Sequence, residues 1–350
     1  MERNQLIEYI ESSFLNELLG YEGITDISYN GRDLYYVLNT EGRKKYEKQI
    51  PNNVIKDFLR QLANITEKQF SYLDPILDVN VGRYRINAVY TSIARVGLEE
   101  AVNFSLRIAS TTNRIRADHK FMNEKLEALF DLLISNHISI IISGVPGVGK
   151  TEFQKYLLSR VKDNERIIVI DSTIELINLQ DNPNVDVSLW QAGEKNKNAT
   201  ISELIKNGLR HNPDWLIVSE ARGEEMNDVL NTAMTGIPII TTIHSIDSKS
   251  SPFRMARIIM AADKKIEYES LLENIFHHFK IFVHLRRVEN KDKSIKRYIS
   301  SIVQVDDDGK ITEIYNDNLK TKKYAKLSKK FLETIYFPKN TVYLKEFINE

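Results

Sequence analysis

No eight residues constrain this chain more than Gly144-Val145-Pro146-Gly147-Val148-Gly149-Lys150-Thr151, which satisfy the pattern G-x-x-x-x-G-K-[ST]. They follow an apolar run, Ile138 to Ile142, and open a helical pattern from Thr151 to Val161. A turn in that context is a phosphate loop. Its glycines let the backbone N–H groups around Gly144, Gly147, Val148 and Gly149 converge on an anion without Cβ interference, and the following helix points its positive end at the same charge. Lys150 then reaches the β- and γ-phosphates and the Thr151 hydroxyl ligates Mg²⁺. No Asn/Thr-Lys-x-Asp element stands in a suitable place to read guanine, which favours ATP.

Around the loop the chain alternates buried strands with helices, the pattern of a mainly parallel sheet covered on both faces. A helix over Glu124 to Ile134 and strands at Ile167 to Ile170, Leu216 to Val218 and Ile237 to Ile243 fit that scheme. Open α/β sheets bind ligands at the carboxyl ends of their strands. Asp171 and Glu175 follow the first of these strands, Glu220 the second and His244 the third. Glu175 is placed to polarise an attacking water, Glu220 to hold the metal with Thr151, and His244 to face the γ-phosphate. Arg222, just past Glu220, and Arg210, before the same strand, are candidates for neutralising phosphoryl charge or for an ion pair at a subunit contact.

At 350 residues two domains are expected. Residues 1–110 read as a small α/β domain. It opens with a helical pattern through Leu6, Ile10, Phe14, Leu15, Leu18 and Leu19, and a hairpin follows in which Ile24 to Tyr29 turns at Asn30-Gly31 into Leu34 to Leu38. A helix around Val54 to Leu62 and strands at Tyr84 to Tyr90 and Ala101 to Ile108 complete it. Residues 111–120 read as a linker, and 121–350 as the nucleotide-binding domain. Forty-eight basic and 48 acidic side chains cancel, and no basic stripe interleaved with aromatics appears, so direct sequence-specific nucleic-acid binding is not expected. With no cysteine, disulfides and thiol chemistry are excluded. No apolar run reaches transmembrane length and the start lacks an export signal, which places the protein in the cytoplasm. The segment Lys320 to Lys330 carries six lysines and no acid, and reads as a solvated helix face.

Taken in order, four boxes resemble those of the secretion traffic ATPases, which power type II secretion, type IV pili and type IV secretion. They are the Walker A loop Gly144 to Thr151, the aspartate box Ile170 to Leu176, the Walker B and arginine element Ser219-Glu220-Ala221-Arg222-Gly223, and the histidine box Thr241-Thr242-Ile243-His244-Ser245. Earlier segments, including Gly23 to Ile27, Leu73 to Asp78, Arg85 to Ala88 and Ser105 to Arg107, are similar to the family's amino-terminal signatures. The resemblance implies a RecA-like domain preceded by a PAS-like α/β domain, assembled as a homo-hexamer. It further implies Mg²⁺-dependent ATP hydrolysis, with Glu175 as catalytic glutamate and Arg85 and Arg107 approaching the nucleotide. The expected partners are membrane-embedded secretion or pilus proteins at the inner face of the bacterial cell membrane. Ser219 stands where the family usually has Gly, and Asp171-Ser172 where it usually has Glu-Asp. The absence of a four-cysteine element favours the type IV secretion and conjugation branch. A tight-adherence or type IV pilus motor, or a DNA-translocating RecA-like motor, is the alternative.

Overall fold

The computed structural model describes residues 2–110, 115, 121–172, 175–176, 185–193, 197–339 and 341–348. Two compact units emerge, residues 1–111 together with 289–296, and residues 112–288 together with 297–350. Of the expected linker only Ile115 is among the described residues, and it is buried.

The first unit contains α1 (Glu2–Glu11), α2 (Asn16–Leu19), β1 (Ile24–Tyr29), β2 (Leu34–Leu38), β3 (Glu41–Lys45) and α3 (Asn52–Ile65). It continues with β4 (Ile76–Val81), β5 (Tyr84–Val89), the short pair β6 (Arg95–Val96) and β7 (Glu99–Glu100), and β8 (Asn103–Ile108). Six strands form one sheet in the order β3-β2-β1-β8-β5-β4, antiparallel at every pairing. The Asn30 side chain accepts from the backbone of Arg32 and Asp33, which fixes the β1–β2 turn. Alternate residues of β4, β5 and β8 are buried against a core shared with α1 and α3, so one sheet face is covered and the other carries Asp78, Arg85, Asn87 and Arg107. The opening helical pattern is two helices rather than one. Ser13 Oγ donates to Ile10 O at 2.7 Å and accepts from Leu15 N at 3.2 Å, a local bonding choice that ends α1.

The second unit runs through α4 (Glu124–Ser135), β9 (Ile140–Ser143), α5 (Lys150–Leu158), β10 (Arg166–Asp171), β11 (Asp186–Gln191), α6 (Ile201–Gly208), β12 (Trp215–Val218), α7 (Glu225–Met234) and β13 (Ile239–Ile243). Beyond these lie α8 (Ser251–Ala262), α9 (Tyr268–His278), β14 (Ile281–Glu289), β15 (Ile295–Val305), β16 (Ile311–Asp317), β17 (Lys322–Tyr324) and α10 (Lys329–Leu332). Nine strands form a sheet in the order β11-β10-β12-β13-β9-β14-β15-β16-β17. From β11 to β14 the pairings are parallel, and β15, β16 and β17 add an antiparallel edge.

Burial explains why the central strands are apolar throughout. Ile140, Ile142, Ile167, Val169 and Ile217 face the core built with α4 and α5, whereas Ile141, Ile168, Ile170, Leu216 and Val218 face the one built with α7, α8 and α9. The lysine-rich segment departs from expectation. Lys320 to Lys330 is not a helix face: it supplies the edge strand β17, a connecting loop and only the start of α10.

Candidate active site

Parallel register sets the site. Ser143, the last residue of β9, lies opposite Ile243 of β13 and His284 of β14. Pairing continues past the strand ends, because Ser219 N donates to Ile170 O at 2.9 Å and Ala221 N donates to Thr242 O at 3.0 Å. Gly144, Glu220 and His244 therefore emerge side by side at one edge of the sheet.

The loop has the backbone its sequence demands. Gly144, Gly147 and Gly149 take φ values of +146°, +76° and +97°, a region that L side chains rarely enter. At Gly144 a Cβ would also come within 2.7 Å of the Leu285 carbonyl oxygen and 2.9 Å of the Val148 side chain, so space and torsion both require glycine. Lys150, the first residue of α5, sends Nζ back across the loop to Gly144 O at 2.9 Å, with His244 Nδ1 at 3.5 Å. His244 Nδ1 also lies 3.1 Å from Gly144 O. On its other side, Nε2 sits 2.7 Å from Glu220 Oε1, an ion-pair distance off the line of a hydrogen bond, so that this buried oxygen keeps lone pairs available. Arg222 Nε holds the second carboxylate oxygen of Glu220 at 3.1 Å. Lysine, histidine, glutamate and arginine thus form one chain of contacts across the ends of β9, β13 and β12.

Asp171 prepares the other acid. Its fully buried carboxylate accepts from Glu175 N at 2.7 Å and Leu176 N at 3.2 Å, folding the chain after β10 back on itself and fixing where Glu175 starts. Thr173 and Ile174 of the aspartate box lie outside the described residues. Arg210 is not brought to the cluster. It lies in a turn before the amino end of β12, one strand length from Glu220, at the opposite edge of the sheet. Arg85 and Arg107, in the first unit, are direct cross-strand partners on the open sheet face, with Asp26 Oδ1 3.5 Å from Arg107 Nε.

A family model described as "Type II/IV secretion system protein" matches residues 85–313, well over half of the chain. The chain belongs to this family. An uncharacterized protein of Bacillus anthracis is 29% identical to it over 326 residues, spanning 87% of this chain and 72% of that one. The type IV secretion system protein VirB11 of Bartonella quintana is 26% identical over 187 residues, so the match covers about half of each, 53% and 52%. Among solved structures, the Legionella pneumophila ATPase DotB superposes with a TM-score of 0.60 at 18% identity, covering 87% of this chain and 81% of its own. The pilus retraction motor PilT with bound ADP gives 0.53 at 17% identity, covering 82% of each. At these identities the structural likeness is one of fold. The expected architecture, a RecA-like mainly parallel core preceded by a smaller sheet-rich domain, holds.

In this secretion-family chain the sequence reading missed β14 and β15 as contributors to the loop. Arg297 Nε donates to Gly147 O at 2.8 Å, and the Arg287 guanidinium lies 3.8 Å from where a Gly147 Cβ would stand. No motif marks these arginines, because only the pairing of β14 beside β9 puts them there. His284 is a second omission. The Ser143 hydroxyl gives its proton to Val283 O at 3.0 Å, so His284 Nδ1 carries the hydrogen that bonds Ser143 Oγ at 2.9 Å.

Burial, reinforced by the Arg286 charge, pushes the His284 imidazole down from its ordinary 6.5 to about 4. A depressed histidine leaves the unfolded state binding more protons below the ordinary value, so stability is lost as pH falls from 6.5 towards 4. Between pH 7 and pH 5 the loss is about 2 kcal/mol. His284→Gln, which keeps a donor beside Ser143 and cannot titrate, is expected to remove this part of the pH dependence in denaturant unfolding. An unchanged slope assigns the dependence to other groups.

Proposed function

We propose that this chain hydrolyses ATP with Mg²⁺ as a homo-hexamer and powers a membrane-embedded type IV secretion or conjugation machine from the inner face of the bacterial membrane. One observation carries the reading: Lys150, His244, Glu220 and Arg222 are linked contact by contact beside a loop whose three glycines all hold positive φ. A cationic lysine at a helix start and a histidine tied to an acid is the equipment for gripping and sensing a terminal phosphate.

The donor set fits Mg²⁺. Glu220 Oε1 is a buried oxygen without a hydrogen-bond partner, and Thr151 follows Lys150 in the first turn of α5. Among the described residues no group of three or more His, Cys, Asp or Glu converges into a protein cage. That suits an ion that prefers phosphate oxygens and water with one or two protein ligands. When bound, the ion supplies charge neutralisation at the β- and γ-phosphates.

The chain's own residues do the rest. Lys150 exchanges its bond to Gly144 O for phosphate oxygens, His244 follows the change through Glu220, and Glu175 orients and deprotonates the attacking water. Arg85 and Arg107 add positive charge. Loss of the γ-phosphate removes the charge these groups share, and the change of state that follows is the motor's stroke. Purified protein is expected to release phosphate from ATP with Mg²⁺ and to stop in excess EDTA. Hydrolysis that persists without divalent ion, or none with it, overturns the reading.

A further inference from the structure

From Lys320 to Lys345 the chain holds eight lysines against a single acid, Glu333, within a protein whose charges sum to zero overall. Several of its described residues are tied down together. Leu327, Phe331, Ile335, Leu344 and Phe347 anchor it in the core, and Lys326 Nζ donates to Ile348 O at 2.6 Å, holding the two halves together. Asn136 fixes the middle, donating to Tyr336 O at 2.9 Å and accepting from Tyr336 N at 2.6 Å. Between the anchors the side chains turn outward. Tyr336 is 88% exposed, Val342 60%, Tyr343 49% and Phe337 43%.

Simpler explanations cover only part of this surface. Lysines guard sheet edges against wrong pairing, which accounts for Lys322 and Lys323 on β17. It does not reach Lys329 and Lys330, which lie beyond β17 in the one-turn helix α10 and are exposed. Nor does it account for the neighbouring aromatics. Exposed lysines with exposed tyrosine and phenylalanine close to them in sequence match a layer that is negative outside and apolar just beneath.

We propose that this face docks on an anionic lipid bilayer, the lysines meeting headgroup phosphates and Tyr336, Phe337 and Tyr343 entering the interface. The proposal depends on charge and exposure and not on the nucleotide reading. The surface begins at β17, four strands from β9, roughly 20 Å from the phosphate loop at about 4.8 Å per strand.

The test is flotation of the full chain, without nucleotide, on vesicles of phosphatidylcholine alone or with phosphatidylglycerol. Binding is expected only with phosphatidylglycerol, weakening steeply as salt rises. At about five-fold per engaged lysine, the combined variant Lys322→Gln, Lys323→Gln, Lys329→Gln, Lys330→Gln should lose at least about 100-fold in partitioning while keeping its thermal melt and basal phosphate release. Tyr336→Ser with Phe337→Ser should lose less and become more salt-sensitive. Equal binding to both vesicle types, or unchanged binding by the lysine variant, overturns the proposal. So does an oligonucleotide that binds wild type and not the variant while vesicles bind neither, which makes the partner nucleic acid. A lysine variant that falls apart on size exclusion while wild type stays assembled makes it a second copy of this chain.

Discussion

Lys150→Ala is expected to reduce phosphate release by about 10³-fold, close to the loss seen when one preorganised charged donor is removed from a developing oxyanion. The fold should survive. Lys150 Nζ is partly exposed and its bond goes to a carbonyl of its own loop, so truncation costs about 1 kcal/mol of stability. The glycine torsions and the contacts of Gly144 with Leu285 and Val148 do not depend on the side chain. The loss therefore reads catalysis and nucleotide grip, and a thermal melt within a few degrees of wild type checks that assignment. Lys150→Arg should not rescue, because a planar guanidinium does not fit the curled path that Nζ takes back to Gly144 O. Turnover near the wild-type rate in either variant removes Lys150 from the site.

How much of this was legible beforehand follows from where each signal is stored. The loop, its strand and its helix were readable because all three lie in one stretch of chain and obey local rules of torsion and periodicity. Glu220 and His244 were readable because each follows an apolar strand, and parallel sheets collect such residues at one edge. Arg287, Arg297 and His284 were not, since their role depends on which strand lies beside β9, a choice made some 140 residues away in sequence. Arg210 shows the converse: it precedes the same strand that Glu220 follows, and that strand carries the two to opposite edges, which leaves a subunit contact as the reading still open to it. The lysine run misled for a compositional reason: lysine suits a helix face and a guarded sheet edge alike, and no period-two or period-3.6 pattern decides between them.

Glu175→Gln is expected to keep ATP bound while slowing hydrolysis by about 10²- to 10³-fold, the range of a lost general base. Glu220 stands in different surroundings. Arg222 holds one Glu220 oxygen and His244 Nε2 lies 2.7 Å from the other, surroundings that suit a fixed charge better than a proton acceptor. The Glu175 N–H donates to Asp171, a bond that an isosteric change at the Glu175 side chain does not remove. Asp171→Ala does the reverse. It keeps the Glu175 carboxylate and frees two backbone donors at the end of β10, which costs about 1 to 3 kcal/mol for each donor left buried and unpaired. If Asp171 works by placing Glu175, the two losses in turnover will not add: the double variant should be little slower than Glu175→Gln alone, whereas stability should fall as in Asp171→Ala alone. Losses in turnover that multiply in full would mean that the two carboxylates act separately, and normal turnover in Glu175→Gln would return the base to another group.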